Sequence, residues 1–217
     1  MIRGPRDHYF EGPHARSPAA PTGRARTGVA LPHRPYCISL VVGLSAVDAS
    51  PIVEETPAPF DGYRDNVRPE WIDHNGHMNM GYYLVVFDFA TDAWFRHVGL
   101  DGAHRAAQGV TTFCLEAHVT YHREVRAGAP LRFTTRLLGW DAKRLHYFHE
   151  MFQAREGFLA ATNELMSLHV SEATRRAAPM APEILAQLAR IQAAHDRLPY
   201  PTQAGRRMGL QAAPTTR

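Results

Sequence analysis

Between residues 73 and 83, the run "DHNGHMNMGYY" places Asp73, Asn75, His77, Asn79 and Tyr83 around two glycines, directly before a strongly apolar stretch. A carboxylate followed four residues later by an imidazole is a pair suited to activating water or attacking a carbonyl. Asn79 is a good helix N-cap, so the backbone N–H groups around Met80 and Gly81 fall in the first turn of a helix. These donors and the positive end of the helix dipole suit a developing oxyanion. Residue type alone also allows a structural reading. Asp73 and Asn75 are turn formers, Asn79 is a cap, His77 could simply hold the loop, and Tyr83 could be packing.

The helix that must carry this loop runs from Asn79 to Gly99. It bears Tyr83, Phe87, Ala90, Trp94 and Val98 on one stripe and Asp88, Asp92 and Arg96 on another. Asp92 and Arg96 are spaced for an i,i+4 ion pair. The apolar surface also includes Leu84, Val85, Val86, Phe89 and Phe95, which predicts a helix enclosed on several sides. Before it, "GYRDNVRPEWI" suits an edge strand, because Pro69 excludes a central position. After it come four strand-like runs divided by "AGAP", "DAK" and "REG", which predict an antiparallel meander. In the first run Phe113, Leu115, Ala117, Val119 and Tyr121 alternate with Cys114, Glu116, His118, Thr120 and His122. Residues 182–195 form a second amphipathic helix that starts at Pro182.

Domain limits follow from composition. Residues 1–55 are rich in Pro, Arg, Ala and Gly without periodicity and read as a disordered extension. "CISLVVGLSAV" within it imitates the apolar core of a signal peptide but lies far from Met1, so an over-extended start, a targeting segment and a functional tail all stay open. Residues 56–175 form the main domain, 176–200 a C-terminal helix packed on it, and 201–217 a flexible tail.

Bulk properties narrow the function. Residues 51–217 hold 18 basic and 18 acidic side chains, so the body carries no electrostatic footprint for nucleic acid. No apolar run is long enough to span a membrane. Cys37 and Cys114 do not make a disulfide framework, which favours a reducing cytoplasm. His118, His122, His146 and His149 lie on neighbouring runs, but no close ligand motif accompanies them, and neither a metal nor another cofactor is expected.

The order of strand, "D-x-N-G-H-M-N" loop, long apolar helix and meander resembles the hotdog fold, an α+β architecture, in its 4-hydroxybenzoyl-CoA thioesterase-like branch of acyl-CoA thioesterases. The similarity spans about residues 60 to 172. "DAKRLHYFHEM", "LAATNELMSLHV" and "RLPYP" further resemble the thioesterases, alone or fused to carnitine dehydrogenases, that act on betainyl-CoA. The resemblance implies hydrolysis of a coenzyme A thioester, with Asp73 as base or nucleophile, His77 beside it and the Met80 and Gly81 amides as oxyanion hole. It also implies a homodimer or homotetramer. Glu116 is a candidate second carboxylate. Lys143 and Arg144, with Arg123 and Arg126, are candidates for the CoA phosphates. Trp71, Phe87, Trp94 and Trp140 are aromatic candidates for a trimethylammonium group. The competing functions are an enoyl-CoA hydratase and a non-catalytic acyl-CoA binding module. The hydratase pattern resembles D-x-N-P-x-H, whereas here three residues separate Asp73 from His77 and Gly76 stands in place of proline.

Overall fold

A computed structural model describes residues 56–209. The expected extension 1–55 and the last eight residues of the tail therefore lie outside the described residues. The long helix α1 runs Met80–Val98, begins at Asn79 and ends at Gly99, which adopts the left-handed backbone (φ 95°) that glycine tolerates best. Tyr83, Phe87, Ala90, Trp94 and Val98 are all buried, as the stripe predicts. Enclosure is incomplete, however: Leu84 and Val85 remain 47% and 41% exposed within the single chain. Asp92 and Arg96 are not among the ion pairs of the described residues.

Five long strands form one antiparallel sheet beneath α1: β1 Phe60–Asn66, β2 Val110–Tyr121, β3 Pro130–Trp140, β4 Arg144–Gln153 and β5 Leu159–Ser171. A two-residue strand, β6 Arg176–Ala177, adds to β5. The order β1-β3-β4-β5-β2 places β1 at an edge, as expected. Pro69 does not sit in that strand. It opens a single 3-10 turn, Pro69–Trp71.

The meander holds for β3, β4 and β5 but not for β2, which pairs with β5 at the far edge. Residues 122–129 carry the chain across the end of the sheet, and Val125 is buried there as part of the core. Alternation in a sequence reports which side chains share a face, not which strand is the neighbour. The alternation itself is broken once, by a bulge between Cys114 and Glu116. Consequently Thr112, Cys114 and Ala117 face α1, whereas Glu116 and His118 line a hollow on the other face.

The core forms two clusters, one under each half of α1. The first gathers Trp71, Met78, Tyr83, Phe87, Phe133 and Met151. The second gathers Trp94, Val98, Leu137 and Leu145 with Ile184, Leu188 and Ile191 of α3, Pro182–His195. A short helix, α2, spans Gly102–Gln108 and joins α1 to β2. Residues 201–209 bend back over the sheet, where the Gly205 N–H donates to Glu164 Oε2 at 2.6 Å.

Of the four strand histidines, His149 is fully buried under α1, with Nε2 3.0 Å from Thr91 Oγ1 and Nδ1 2.8 Å from Thr135 Oγ1. His146 lies on the opposite face against Glu164 at 2.7 Å, so the set does not converge. Burial lowers the His149 pKa to about 3, so this ring is neutral in the folded state but protonates near pH 6.5 once unfolded. A depressed histidine pKa contributes stability above the unfolded value and loses it as pH falls toward the folded value. Folding stability is therefore expected to drop by about 2 kcal/mol from this group between pH 7 and pH 5. Urea melts at both pH values should show that His149→Gln has lost most of that increment; an unchanged pH slope in the variant would remove His149 as its source.

Candidate active site

The loop before α1 is built from its own polar side chains. The Asn75 N–H donates to Asp73 Oδ1 at 2.8 Å, the Gly76 N–H to the Asp73 carbonyl at 3.0 Å, and the Asp73 N–H to the His77 carbonyl at 3.0 Å. Gly76, with φ 80°, supplies the left-handed residue that this tight turn requires. The Asx-turn reading of Asp73 is thus correct, yet it uses only one carboxylate oxygen. The side chain of Asp73 is 15% exposed, and His77 Nδ1 lies 3.9 Å from its Oδ1. The same ring nitrogen is 3.3 Å from the Met78 carbonyl.

Four further bonds fix the helix start. The Met78 N–H donates to the Val125 carbonyl and the Asn79 N–H to the Trp71 carbonyl, each at 2.9 Å. The Asn79 side chain accepts the Gly81 N–H at 2.9 Å. The Tyr121 hydroxyl donates to the Met80 carbonyl at 3.1 Å. Gly81 is accordingly occupied by its cap rather than open to a ligand. The Met80 N–H has no acceptor among the described residues.

A cleft of about 450 Å³ brings Asp73, His77, Met80 and Tyr83 together with Arg123 and Glu124. Asn75 and Asn79 also line it. Tyr121 and His122 were not anticipated here. They arrive because β2 ends beside the first turn of α1, a placement that depends on β2 crossing to the far edge. The only signal for them in the sequence was adjacency to Arg123. Burial raises the Tyr83 and Tyr121 hydroxyl pKa values, so both remain neutral hydrogen-bonding groups. The two rings meet edge to face at 5.1 Å.

Other expected residues are not gathered within the chain. Glu116 lines a separate hollow with His118, His146 and Glu164, on the face of the sheet turned away from α1. Trp71 is buried in the core, stacked near Tyr82, and Trp94 is fully enclosed. Arg144 pairs with Leu168, at the end of the sheet opposite to the Tyr121–Ala161 pair, and its guanidinium holds Asp141 at 2.6 Å. Lys143 shares that hairpin, so neither cation reaches Asp73 in one chain. Arg123 does, and it also borders an adjoining hollow of about 440 Å³ with Arg126 and Arg155.

The profile described as the thioesterase-like superfamily matches residues 67–188, which include the whole loop, α1 and the sheet beyond β1. The chain belongs to the thioesterase-like superfamily. Among relatives of this thioesterase, the betainyl-CoA thioesterase of Pseudomonas aeruginosa is 44% identical over 148 residues, covering 68% of this chain and 93% of that protein. The L-carnitine dehydrogenase/betainyl-CoA thioesterase of Agrobacterium fabrum is 40% identical over 147 residues, 68% of this chain and 30% of that longer protein. A Staphylococcus aureus protein solved in complex with CoA superposes with a TM-score of 0.66 at 29% identity, covering 71% of this chain and 98% of that one. The thioesterase has the hotdog fold that its sequence resembles, an α+β half-barrel wrapped on one helix.

Because Asn79 both caps α1 and occupies the Gly81 amide, replacing it tests how the helix start is held. Asn79→Ala is expected to cost about 1 kcal/mol of stability, read from the urea midpoint. An unaffected midpoint would show that the bonds from Trp71 and Val125 suffice without the cap.

Proposed function

We propose that this thioesterase hydrolyses betainyl-CoA, with Asp73 and the Met80 N–H as its working pair. The observation that carries the reading is the open Met80 amide at the positive end of α1, in the same cleft as a carboxylate with one oxygen outside the Asx turn. The amide donates its N–H to the thioester oxygen as negative charge builds on that oxygen. Asp73 acts in one of two ways. As a base it takes a proton from water while the water oxygen bonds to the carbonyl carbon. As a nucleophile its oxygen forms a mixed anhydride, which water then opens. In either case the carbon–sulfur bond breaks and the CoA thiolate leaves, taking up a proton. His77 borders the carboxylate and steadies its charge.

The choice of acyl group is supported by similarity to two betainyl-CoA thioesterases, one of them fused to an L-carnitine dehydrogenase. Arg123, with Arg126 and Arg155 in the adjoining hollow, is the better placed set for the CoA phosphates within one chain. A homodimer is supported by the outer edge of β2, which no strand among the described residues pairs, and by the exposed Leu84, Val85 and Leu115 beside it. No helix among the described residues is long and apolar enough to cross a membrane. The exposed, unpaired Cys114 suits a reducing cytoplasm.

Purified protein incubated with betainyl-CoA should release free thiol, and Asp73→Asn should slow release by about 10²–10⁴-fold. Water addition to an enoyl-CoA without thiol release would favour the hydratase, and thiol release unchanged in the variant would remove Asp73 from the chemistry.

A further inference from the structure

A second groove, of about 540 Å³, begins at Gly81, one residue from the open amide, and runs between α1 and strands β2 and β5. Gly81, Leu84, Val85, Asp88 and Asp92 give it one helical face, and Asn163, Tyr147 and Ser167 form its floor. Two features of it are unexplained by folding. Asn163 is 0% exposed, yet neither its amide nitrogen nor its amide oxygen has a hydrogen-bond partner. Native structures rarely leave such a side chain unsatisfied. Asp88 and Asp92, one turn apart, repel each other and take part in no ion pair among the described residues. Burial, with the Asp92 charge added, raises the Asp88 carboxyl pKa. The one cation on the groove wall is Arg105, which shares the lining with Phe95 and Thr112.

We infer that this groove receives the acyl group of the thioester and selects one bearing a positive charge, with Asp88 and Asp92 supplying the field and Asn163 a polar floor. The inference rests on the reading of Asp73 and Met80 given above and specifies what their cleft leaves open. A trimethylammonium head offers no hydrogen bond and is drawn instead by negative charge, which the two carboxylates provide. Eight residues of helix separate Met80 from Asp88, a rise of about 12 Å. The carboxylates therefore act on a two-carbon betainyl head through the groove, whose low-polarity walls focus their field. A longer acyl chain brings the cation to them directly. Selectivity for charge should accordingly grow with chain length.

The test uses trimethylammonio-acyl-CoA thioesters with backbones of two, four and six carbons, each matched to the tert-butyl isostere in which carbon replaces nitrogen. Thiol release gives kcat/KM for each. The intact protein is expected to favour the cation by about tenfold or more, within the range that charged clefts achieve, and increasingly so from two to six carbons. In the double variant Asp88→Asn, Asp92→Asn the ratio should fall to near one because the cationic members slow. A ratio near one in the intact protein, or one that survives in the double variant, overturns the inference while leaving the thioesterase reading in place. Absence of thiol release from all six compounds overturns both. Asn163→Leu should lower the ratio without lowering the melting temperature, since the amide is unpaired in the free protein. A large loss of melting temperature would assign Asn163 to the fold and remove it from the site.

Discussion

The structure depends on how the first turn of α1 is held. Trp71 and Val125 reach the chain from opposite sides and accept the Asn79 and Met78 amides, while the Asn79 side chain takes the Gly81 amide. A helix begins with several N–H groups that have no partner within it. Here the surroundings satisfy the neighbours of Met80, which lines the cleft, and leave the Met80 N–H without an acceptor among the described residues. The proposed chemistry rests on that selective satisfaction. The dipole end is positive, and the carboxylate of the preceding turn is bonded into the same small loop.

The rest of the fold supports this arrangement from below. Core clusters at both ends of α1 keep the rod fixed over the sheet, and α3, Pro182–His195, closes the distal cluster with Ile184, Leu188 and Ile191. That helix is itself tied to the sheet by His195, whose Nδ1 accepts the Leu137 N–H at 2.8 Å, and whose Nε2 faces the Pro57 carbonyl at 3.1 Å. Arg136 meets the carbonyls at the end of the same helix, including His195 at 3.0 Å. The side of α1 left open, with Leu84 and Val85, is the side where β2 also lacks an outer neighbour.

Much of this was legible in the sequence, and the failures have physical reasons. The span of α1, its cap and stop, and its buried stripe follow from local rules, because a helix is specified by residues within a few positions of each other. The Pro182 start of the last helix was legible for the same reason. Strand neighbours are not local. Alternation placed residues on faces but gave no means of seeing that β2 crosses to the far edge, so Tyr121 and His122 were missed at the cleft. The bulge after Cys114 brought Thr112 and Cys114 onto the face of Ala117, a one-residue event with no sequence mark. Lys143 and Arg144 looked suited to phosphates by composition, but the register of β4 on β5 puts them at the other end of the sheet. Gly81 was a reasonable oxyanion donor until its cap was seen to use it.

The direct test deletes the one hydrogen on which the account turns. Met80 is the first residue of α1, where proline is favoured because its missing N–H is not needed by the helix. The preceding Asn79 already has the extended backbone (ψ 141°) that proline demands. Met80→Pro should therefore fold normally, judged by its urea midpoint, while kcat for thioester hydrolysis falls by about 10²–10³-fold as expected for loss of an oxyanion donor. A folded Met80→Pro protein with undiminished kcat would show that the thioester oxygen is held elsewhere.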